Sequence, residues 1–340
     1  MGKKAINQAY SKNDYHAILN YKLTTSQKKA SNEVLKYVKA NNSVIISAVC
    51  GAGKTELVYA SIEYFLNKGQ KVAFAIPRKD VVKEIYERLS KDFKEIKTCC
   101  VYGGHNEDIN GQLVVLTTHQ LYRYENYFDL LILDEADAFP YYKNELLKTF
   151  LKKSCKGIII YLSATIKKDY LKECKNVVYV NKRFHNHPLP EPKIIKYNHF
   201  NKLDVLKNCI NNFLIKQKQI LIFVPTILIG FSLEKKLAIP FVYSSKKNKE
   251  KIINDFKNKK FNILITTSIL ERGITISDIQ VIVFECSHPL FDNSTLIQIA
   301  GRVGRKYNAP TGEVLFLSSI STIAMKECIK EIKCKNQAIV

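Results

Sequence analysis

Short apolar runs alternate with amphipathic stretches twice along this chain, and that alternation restricts the fold more than any other feature. In the first half SVIISA (43–48), KVAFAI (71–76), LVVLTT (113–118), LLILD (130–134) and GIIIYL (157–162) read as strands buried on both faces. Between the second and third of these, RKDVVKEIYERLS (78–90) sets Val81, Val82, Ile85, Tyr86 and Leu89 at helical spacing. The second half repeats the rhythm with ILIFV (220–224), FNILIT (261–266), IQVIVF (279–284) and EVLFL (313–317). Strands alternating with helices predict an α/β fold, with a doubly wound, mainly parallel sheet flanked by helices in each half.

A length of 340 residues fits two domains, each able to bury its own core. HNHPLPEPK (185–193) carries three prolines in five residues and reads as a stiff, extended linker. The expected division is an N-terminal extension (1–22), polar and without clear periodicity, a first domain (23–184), a linker (185–200) and a second domain (201–340). His185 and His187 lack further ligands nearby and read as surface residues. The longest apolar run, ILIFVPTILIGFSL (220–233), is interrupted by Pro225 and shorter than the roughly 18–20 residues a membrane span needs. MGKKAINQAYSKND at the start has no apolar centre for a signal peptide. A cytoplasmic protein without a membrane span is expected.

The formal charge of +22 suits a polyanionic partner, although lysines spread along a chain can equally form a solvated surface. Arginine is more informative, because its planar fork grips phosphate or carboxylate in a way lysine cannot. Only seven occur: Arg78, Arg88, Arg123, Arg183, Arg272, Arg302 and Arg305. The nine cysteines form no C-x-x-C pair, so neither a zinc ribbon nor a redox motif is written. Scattered thiols packed as small hydrophobes are expected, with Cys99 and Cys100 in a strand.

The first strand ends in AVCGAGKTE (48–56), followed by a helical pattern. A glycine-rich turn from strand to helix aims backbone N–H groups of Gly51, Ala52 and Gly53 at phosphates. Lys54 is then placed for the β/γ-phosphates and Thr55 for Mg²⁺. The strict form of this loop begins with glycine, where the chain has Ala48. LLILDEAD (130–137) supplies the complementary half: Asp134 at a strand tip to hold Mg²⁺, and Glu135 to polarise the attacking water. Asp137 is spaced to face away from the nucleotide. In IQIAGRVGR (297–305), Arg302 and Arg305 lie three residues apart and are expected on one helical face. There they could stabilise charge on a γ-phosphate.

AVCGAGKTE, TTHQL (117–121), DEAD (134–137), SAT (163–165), TTSILERGITI (266–276) and QIAGRVGR (298–305) stand in the order and spacing of superfamily 2 helicases. The resemblance covers about residues 21–320. It implies two tandem RecA-like domains, with ATP in the cleft and a single strand crossing both. LTTSQ (23–27) resembles the adenine-reading element, with Gln27 as reader, and VPT (224–226) the motif that opens the second domain. By the same resemblance Pro77 and Arg78 of PRKD, Thr117 and Thr118, and Thr267, Arg272 and Gly273 contact the strand. Asp137, Ser163 and Thr165 couple hydrolysis to domain movement, while Gln298, Arg302 and Arg305 complete the ATP site.

Within the superfamily the combination is similar to the ComFA family of competence ATPases, most closely in DAFPY (137–141) and ILERG (269–273). This implies an ATP-dependent translocase on single-stranded DNA, using ATP and Mg²⁺. The implied setting is DNA uptake, with ComFC-like partner proteins at the cytoplasmic face of the membrane. A general superfamily 2 DNA or RNA helicase, in repair, replication restart or RNA remodelling, is the alternative. The chain departs from the family pattern in Ala136, where Val is usual, and in having no four-cysteine zinc element, so no zinc site is expected. QIAGRVGR also lacks the His-Arg opening typical of the RNA-remodelling DEAD-box group.

Overall fold

The computed structural model describes residues 3–19, 21–136, 141, 144–164, 171–172, 174–267 and 276–337. Its contacts divide the chain into two units, Met1–Val180 and Asn181–Val340.

The first unit is built on seven strands: β1 (Val44–Ala48), β2 (Val72–Ile76), β3 (Thr98–Val101), β4 (Leu113–Thr117), β5 (Phe128–Asp134), β6 (Cys155–Ser163) and β7 (Val177–Val180). They lie in the order β3-β4-β2-β5-β6-β1-β7, and every strand pair is parallel. Every residue of β1, β2 and β4 is buried, which is why these strands read as continuous apolar runs rather than alternating ones. Among the described residues its helices include α1 (Thr25–Lys39), α2 (Lys54–Leu57), α3 (Tyr59–Asn67), α4 (Lys79–Asp92) and α5 (Glu145–Ser154), with a 3₁₀ turn over Thr118–Arg123. Helix α4 buries Val81, Val82, Ile85 and Leu89, four of the five residues that give 78–90 its helical spacing.

The second unit holds β8 (Lys193–Lys196), α6 (Lys202–Ile215), β9 (Gln219–Phe223), α7 (Ile227–Leu237), β10 (Phe241–Val242), α8 (Lys249–Lys257) and β11 (Ile263–Thr266). Then come β12 (Ile279–Phe284), α9 (Asn293–Ala300), β13 (Val314–Ser318) and α10 (Ile323–Gln337). Its six strands run β10-β11-β9-β12-β13-β8, again with all pairs parallel. Thr226, the last residue of VPT, caps α7 by accepting from the Ile229 N–H at 3.3 Å.

Two sequence expectations need correction. Residues 185–200 do not form a separate linker, because β8 lies inside that span and pairs with β13 as an edge strand. Its length of four residues, just after three prolines, left no periodicity to read. His185 is no surface residue either: it is 8% exposed and packed within the second unit. The N-terminal segment, by contrast, lacks periodicity because it is held through polar groups instead of an apolar face. Ala5 donates to the Arg123 carbonyl, Asn13 to that of Asn67 and Ile18 to that of Asp92, so the segment straps the first unit.

Seven cysteines are buried, Cys155 is half-buried and Cys334 is exposed; all nine are free thiols. Among the described residues, no helix is long and apolar enough to cross a membrane.

At Gly157 strand β6 lies close against its parallel neighbour β5. A Cβ there would lie 2.0 Å from the Asp129 carbonyl, where the β5–β6 register shifts between Phe128 and Leu130. Gly157→Ala should therefore destabilise the protein by about 1–3 kcal/mol through overpacking. Gly103→Ala, which meets nothing within 4 Å, serves as the control. Urea denaturation should show a lowered midpoint for the first variant and an unchanged one for the second.

Candidate nucleotide and nucleic-acid site

Parallel pairing brings the carboxyl ends of β1 to β7 to one edge of the first sheet, and the glycine loop leaves from that edge. Gly51 and Gly53 both take positive φ, +85° and +78°, which glycine adopts without strain. Gly53 caps α2, so the loop's backbone N–H groups precede a helix start as phosphate binding requires. The loop is braced on both sides. Val49 N–H donates to the Val180 carbonyl at 3.1 Å, and the Gln27 side-chain amide donates to the Ala52 carbonyl at 2.9 Å.

Gln27 has a second task. Its Oε1 accepts from the Thr24 N–H at 3.0 Å, while Thr24 Oγ1 accepts from the Gln27 N–H at 3.2 Å, closing a capping box on α1. The residue expected to read adenine is thus also the clamp between α1 and the loop. A Cβ on Gly53 would come within 2.4 Å of Gln27 Nε2, so the clamp needs glycine at that position.

Behind the loop, Glu56 is 5% exposed, pairs with Arg88 at 3.3 Å and accepts from the Tyr21 hydroxyl. Desolvation and then the Glu56 carboxylate raise the Tyr21 pKa, which keeps the phenol protonated as the donor. This buried carboxylate ties the strap, α2 and α4 together, and nothing in the residue spacing announced it.

Asp134 ends β5 and pairs in register with Leu162 of β6, which pairs in turn with Ile46 of β1. With β6 between them, Asp134 and the glycine-loop strand stand about two strand spacings, roughly 10 Å, apart. Glu135 takes the left-handed conformation (φ +54°), and its N–H donates to Asp134 Oδ1 at 2.8 Å. That backbone reversal presents two consecutive carboxylates at the sheet edge, both partly exposed. Thr55 and Asp134 are hard oxygen donors of the kind Mg²⁺ takes alongside substrate phosphates. Ser163, 3% exposed, ends β6 in register with Ser47 of β1, between the loop strand and Asp134.

The other half of the edge is basic and aromatic. Pro77 and Arg78 follow β2, and Arg78 is the residue before α4. Lys79 and Lys83 lie over the Tyr102 ring at 4.6 and 5.6 Å, and His105 stacks on that ring at 4.9 Å. Tyr102, Gly103, Gly104 and His105 form a tight turn after β3, absent from the sequence expectations because Tyr-Gly-Gly-His carries no periodicity. Thr117 and Thr118 follow the same edge but are 7% and 0% exposed, so they present almost no surface to a strand.

In the second unit, Arg302 and Arg305 do not share a helical face as expected. Helix α9 stops at Ala300, Gly301 caps it, and residues 301–304 turn. Gly304 has φ +68°, and a Cβ there would lie 2.3 Å from the Pro310 carbonyl. Arg302 is 4% exposed, whereas Arg305 is half-buried with Nε donating to the Gly301 carbonyl at 2.8 Å. Gln298, 6% exposed on α9, keeps its Oε1 buried without a hydrogen-bond partner among the described residues, an acceptor that a bound group can satisfy. Thr267 follows β11 and is partly exposed. Asp137, Thr165, Arg272 and Gly273 lie outside the described residues.

Residues 20–168 match the family model of the type III restriction enzyme res subunit, and residues 201–307 match the helicase conserved C-terminal domain. The chain is 39% identical to competence protein ComFA of Streptococcus pneumoniae over 336 residues, 93% of this chain and 77% of that protein. It is 34% identical to ComFA of Bacillus subtilis over 338 residues, again 93% of this chain and 72% of the relative. Among solved structures, S. cerevisiae Dbp5 bound to RNA and ADP BeF3 aligns with a TM-score of 0.73 at 19% identity, covering 93% of this chain and 88% of its own. The Mycobacterium smegmatis helicase Lhr, bound to ssDNA and AMP-PNP, aligns at 0.69 and 15%, covering 92% and 50%. At those identities the likeness shows the fold, two RecA-like α/β units.

Removing the Gln27 amide should loosen the loop more than the core. Gln27→Ala forfeits two side-chain hydrogen bonds worth about 1 kcal/mol each, so affinity for a fluorescent ATP analogue should fall about tenfold or more. Circular dichroism should show the fold retained.

Proposed function

The chain belongs to the ComFA family of competence proteins, and on that premise we propose that it is a motor that hydrolyses ATP to pull single-stranded DNA inward during uptake. Membership already makes it a superfamily 2, nucleic-acid-dependent ATPase and a helicase-like motor of competence. The choice of single-stranded DNA, the direction of pull and the roles of individual residues are the proposal.

One observation carries it: the strand order of the first sheet. β5-β6-β1 bring Asp134, Glu135, Ser163 and the glycine loop to one half of the sheet edge. β3-β4-β2 bring the Tyr102–His105 turn, Pro77, Arg78 and Lys79 to the other half. Nucleotide chemistry and a basic strip thus share one edge, with β5 and β2 adjacent at the junction; the exposed ring there is His105, seated on Tyr102, which is itself 9% exposed. Phosphate contacts and base stacking are what a sequence-tolerant grip on a single strand needs.

In the proposed cycle the glycine loop and Lys54 hold the β/γ-phosphates, and Glu135 takes a proton from the attacking water. Thr55 and Asp134 would hold Mg²⁺, which when bound would supply positive charge against the phosphates. Arg302 and Arg305, with Gln298 beside them, stabilise the charge that builds on the γ-phosphate. Ser163, with Asp137 and Thr165, passes the change at the phosphate to the strand contacts. Thr267, Arg272 and Gly273 provide the grip of the second unit. ComFC-like uptake proteins at the cytoplasmic face of the membrane are the proposed partners.

ATP turnover measured with single-stranded DNA, duplex DNA and RNA at several salt concentrations tests this. Single-stranded DNA should stimulate most, and apparent affinity should fall steeply as salt rises. Stronger stimulation by RNA would favour an RNA-remodelling helicase instead. Lys54→Ala and Glu135→Gln should each abolish turnover while DNA binding persists; retained turnover in both would refute the assignment of the site.

A further inference from the structure

The turn bearing Arg302 and Arg305 is held from behind by two residues far away in sequence. Arg183, 1% exposed, donates from Nη1 to the carbonyls of Val303 at 2.9 Å and Gly304 at 2.8 Å. His185 places Nε2 2.8 Å from the same Gly304 carbonyl. Its Nδ1 accepts from the His187 N–H at 3.2 Å. A carbonyl accepts only, so Nε2 carries a proton, and Nδ1, facing a donor, does not. His185 is therefore the neutral Nε2–H tautomer. Its pKa is lowered by burial, with the nearby Arg183 and His187 contributing against the Gly304 bond, which agrees with that assignment.

Gly304 is the other half of this clamp. A Cβ at that position would lie 2.9 Å from Arg183 Nη1 as well as 2.3 Å from the Pro310 carbonyl. Only glycine lets the guanidinium approach both carbonyls while the backbone takes φ +68°. Arginine at 183 is informative in a chain whose default cation is lysine. Its rigid fork loses less freedom than an ammonium when fixed between two acceptors.

Local bonds tie the start of the turn to α9, through the Arg302 and Val303 N–H groups and Arg305 Nε on the Gly301 carbonyl, whereas the Val303 and Gly304 carbonyls are held by Arg183 and His185. Groups that stabilise a transition state act strongly only when held in place beforehand. We propose that Arg183 and His185 are positioning residues for catalysis, fixing the Val303 and Gly304 carbonyls and thereby the directions of Arg302 and Arg305. This rests on the assignment of those two arginines to the ATP transition state.

The test uses the full chain with saturating single-stranded DNA, measuring kcat, KM for ATP and melting temperature. His185→Phe, which removes the donor, should lower kcat about tenfold with KM changed less than about twofold. His185→Gln returns an N–H donor at similar reach and should restore most of kcat. Arg183→Lys should lower kcat in the same manner. In an Arg302→Ala/Arg305→Ala background, His185→Phe should lower the residual rate by less than about twofold, because the groups it directs are gone. Wild-type kcat in both His185→Phe and Arg183→Lys overturns the proposal. So does an undiminished loss in the arginine-free background, or a loss that tracks melting temperature and is not restored by His185→Gln. If Arg302→Ala and Arg305→Ala themselves leave kcat unchanged, the catalytic assignment fails and the positioning role falls with it. If they lower it and neither His185→Phe nor Arg183→Lys does, only the positioning role fails.

Discussion

Parallel hydrogen bonding between strands is the constraint on which everything else here depends. In a parallel sheet every strand ends at the same edge, so residues scattered over a hundred positions become neighbours through topology alone. The glycine loop follows β1, Asp134 ends β5 with Glu135 next to it, Ser163 closes β6, and Arg78 follows β2. None of these side chains needs a long loop to reach the edge. The second sheet repeats the device with Thr226 after β9 and Thr267 after β11.

Local backbone chemistry then refines what topology supplies. Gly51 and Gly53 turn the loop through positive φ, Glu135 reverses the chain after Asp134, and Gly304 turns the arginine segment. Around each is a polar brace: Gln27 on the Ala52 carbonyl, Asp134 on the Glu135 N–H, and Arg183 with His185 on the Gly304 carbonyl. Such braces add little to global stability, about 1 kcal/mol for each hydrogen bond. Their value is geometric, because a catalytic group displaced by an ångström loses much of its effect.

Much of this was legible in the sequence, and the exceptions have physical causes. Buried parallel strands appear as continuous apolar runs, so the central strands of both sheets could be placed from the residues. Three of the four edge strands could not: β7, β8 and β10 are two to four residues long and lack a pattern, whereas β3 coincides with the strand expected at Cys99 and Cys100. The glycine loop and the acidic pair were legible because their chemistry is local. Three-residue spacing puts Arg302 and Arg305 on a helix, but the glycines at 301 and 304 turn the chain and the helix ends before them. The Arg183–His185 clamp and the Tyr21–Glu56–Arg88 network join residues tens of positions or more apart, and no short-range pattern encodes them.

The scarce arginines show how composition acquires meaning only in three dimensions. Arg123, Arg183 and Arg302 are each buried, at 6%, 1% and 4% exposure, in a chain whose surface charge is carried by lysine. The lysine-borne net charge suits a polyanionic partner, while the buried arginines order the framework beneath. Whether that framework moves along a strand is decided most directly by stopped-flow translocation on single-stranded DNA of increasing length, labelled at one end. A motor of this design should show a lag before the fluorescence change that grows in proportion to length and vanishes in Glu135→Gln. A lag independent of length, with ATP still consumed, would contradict it.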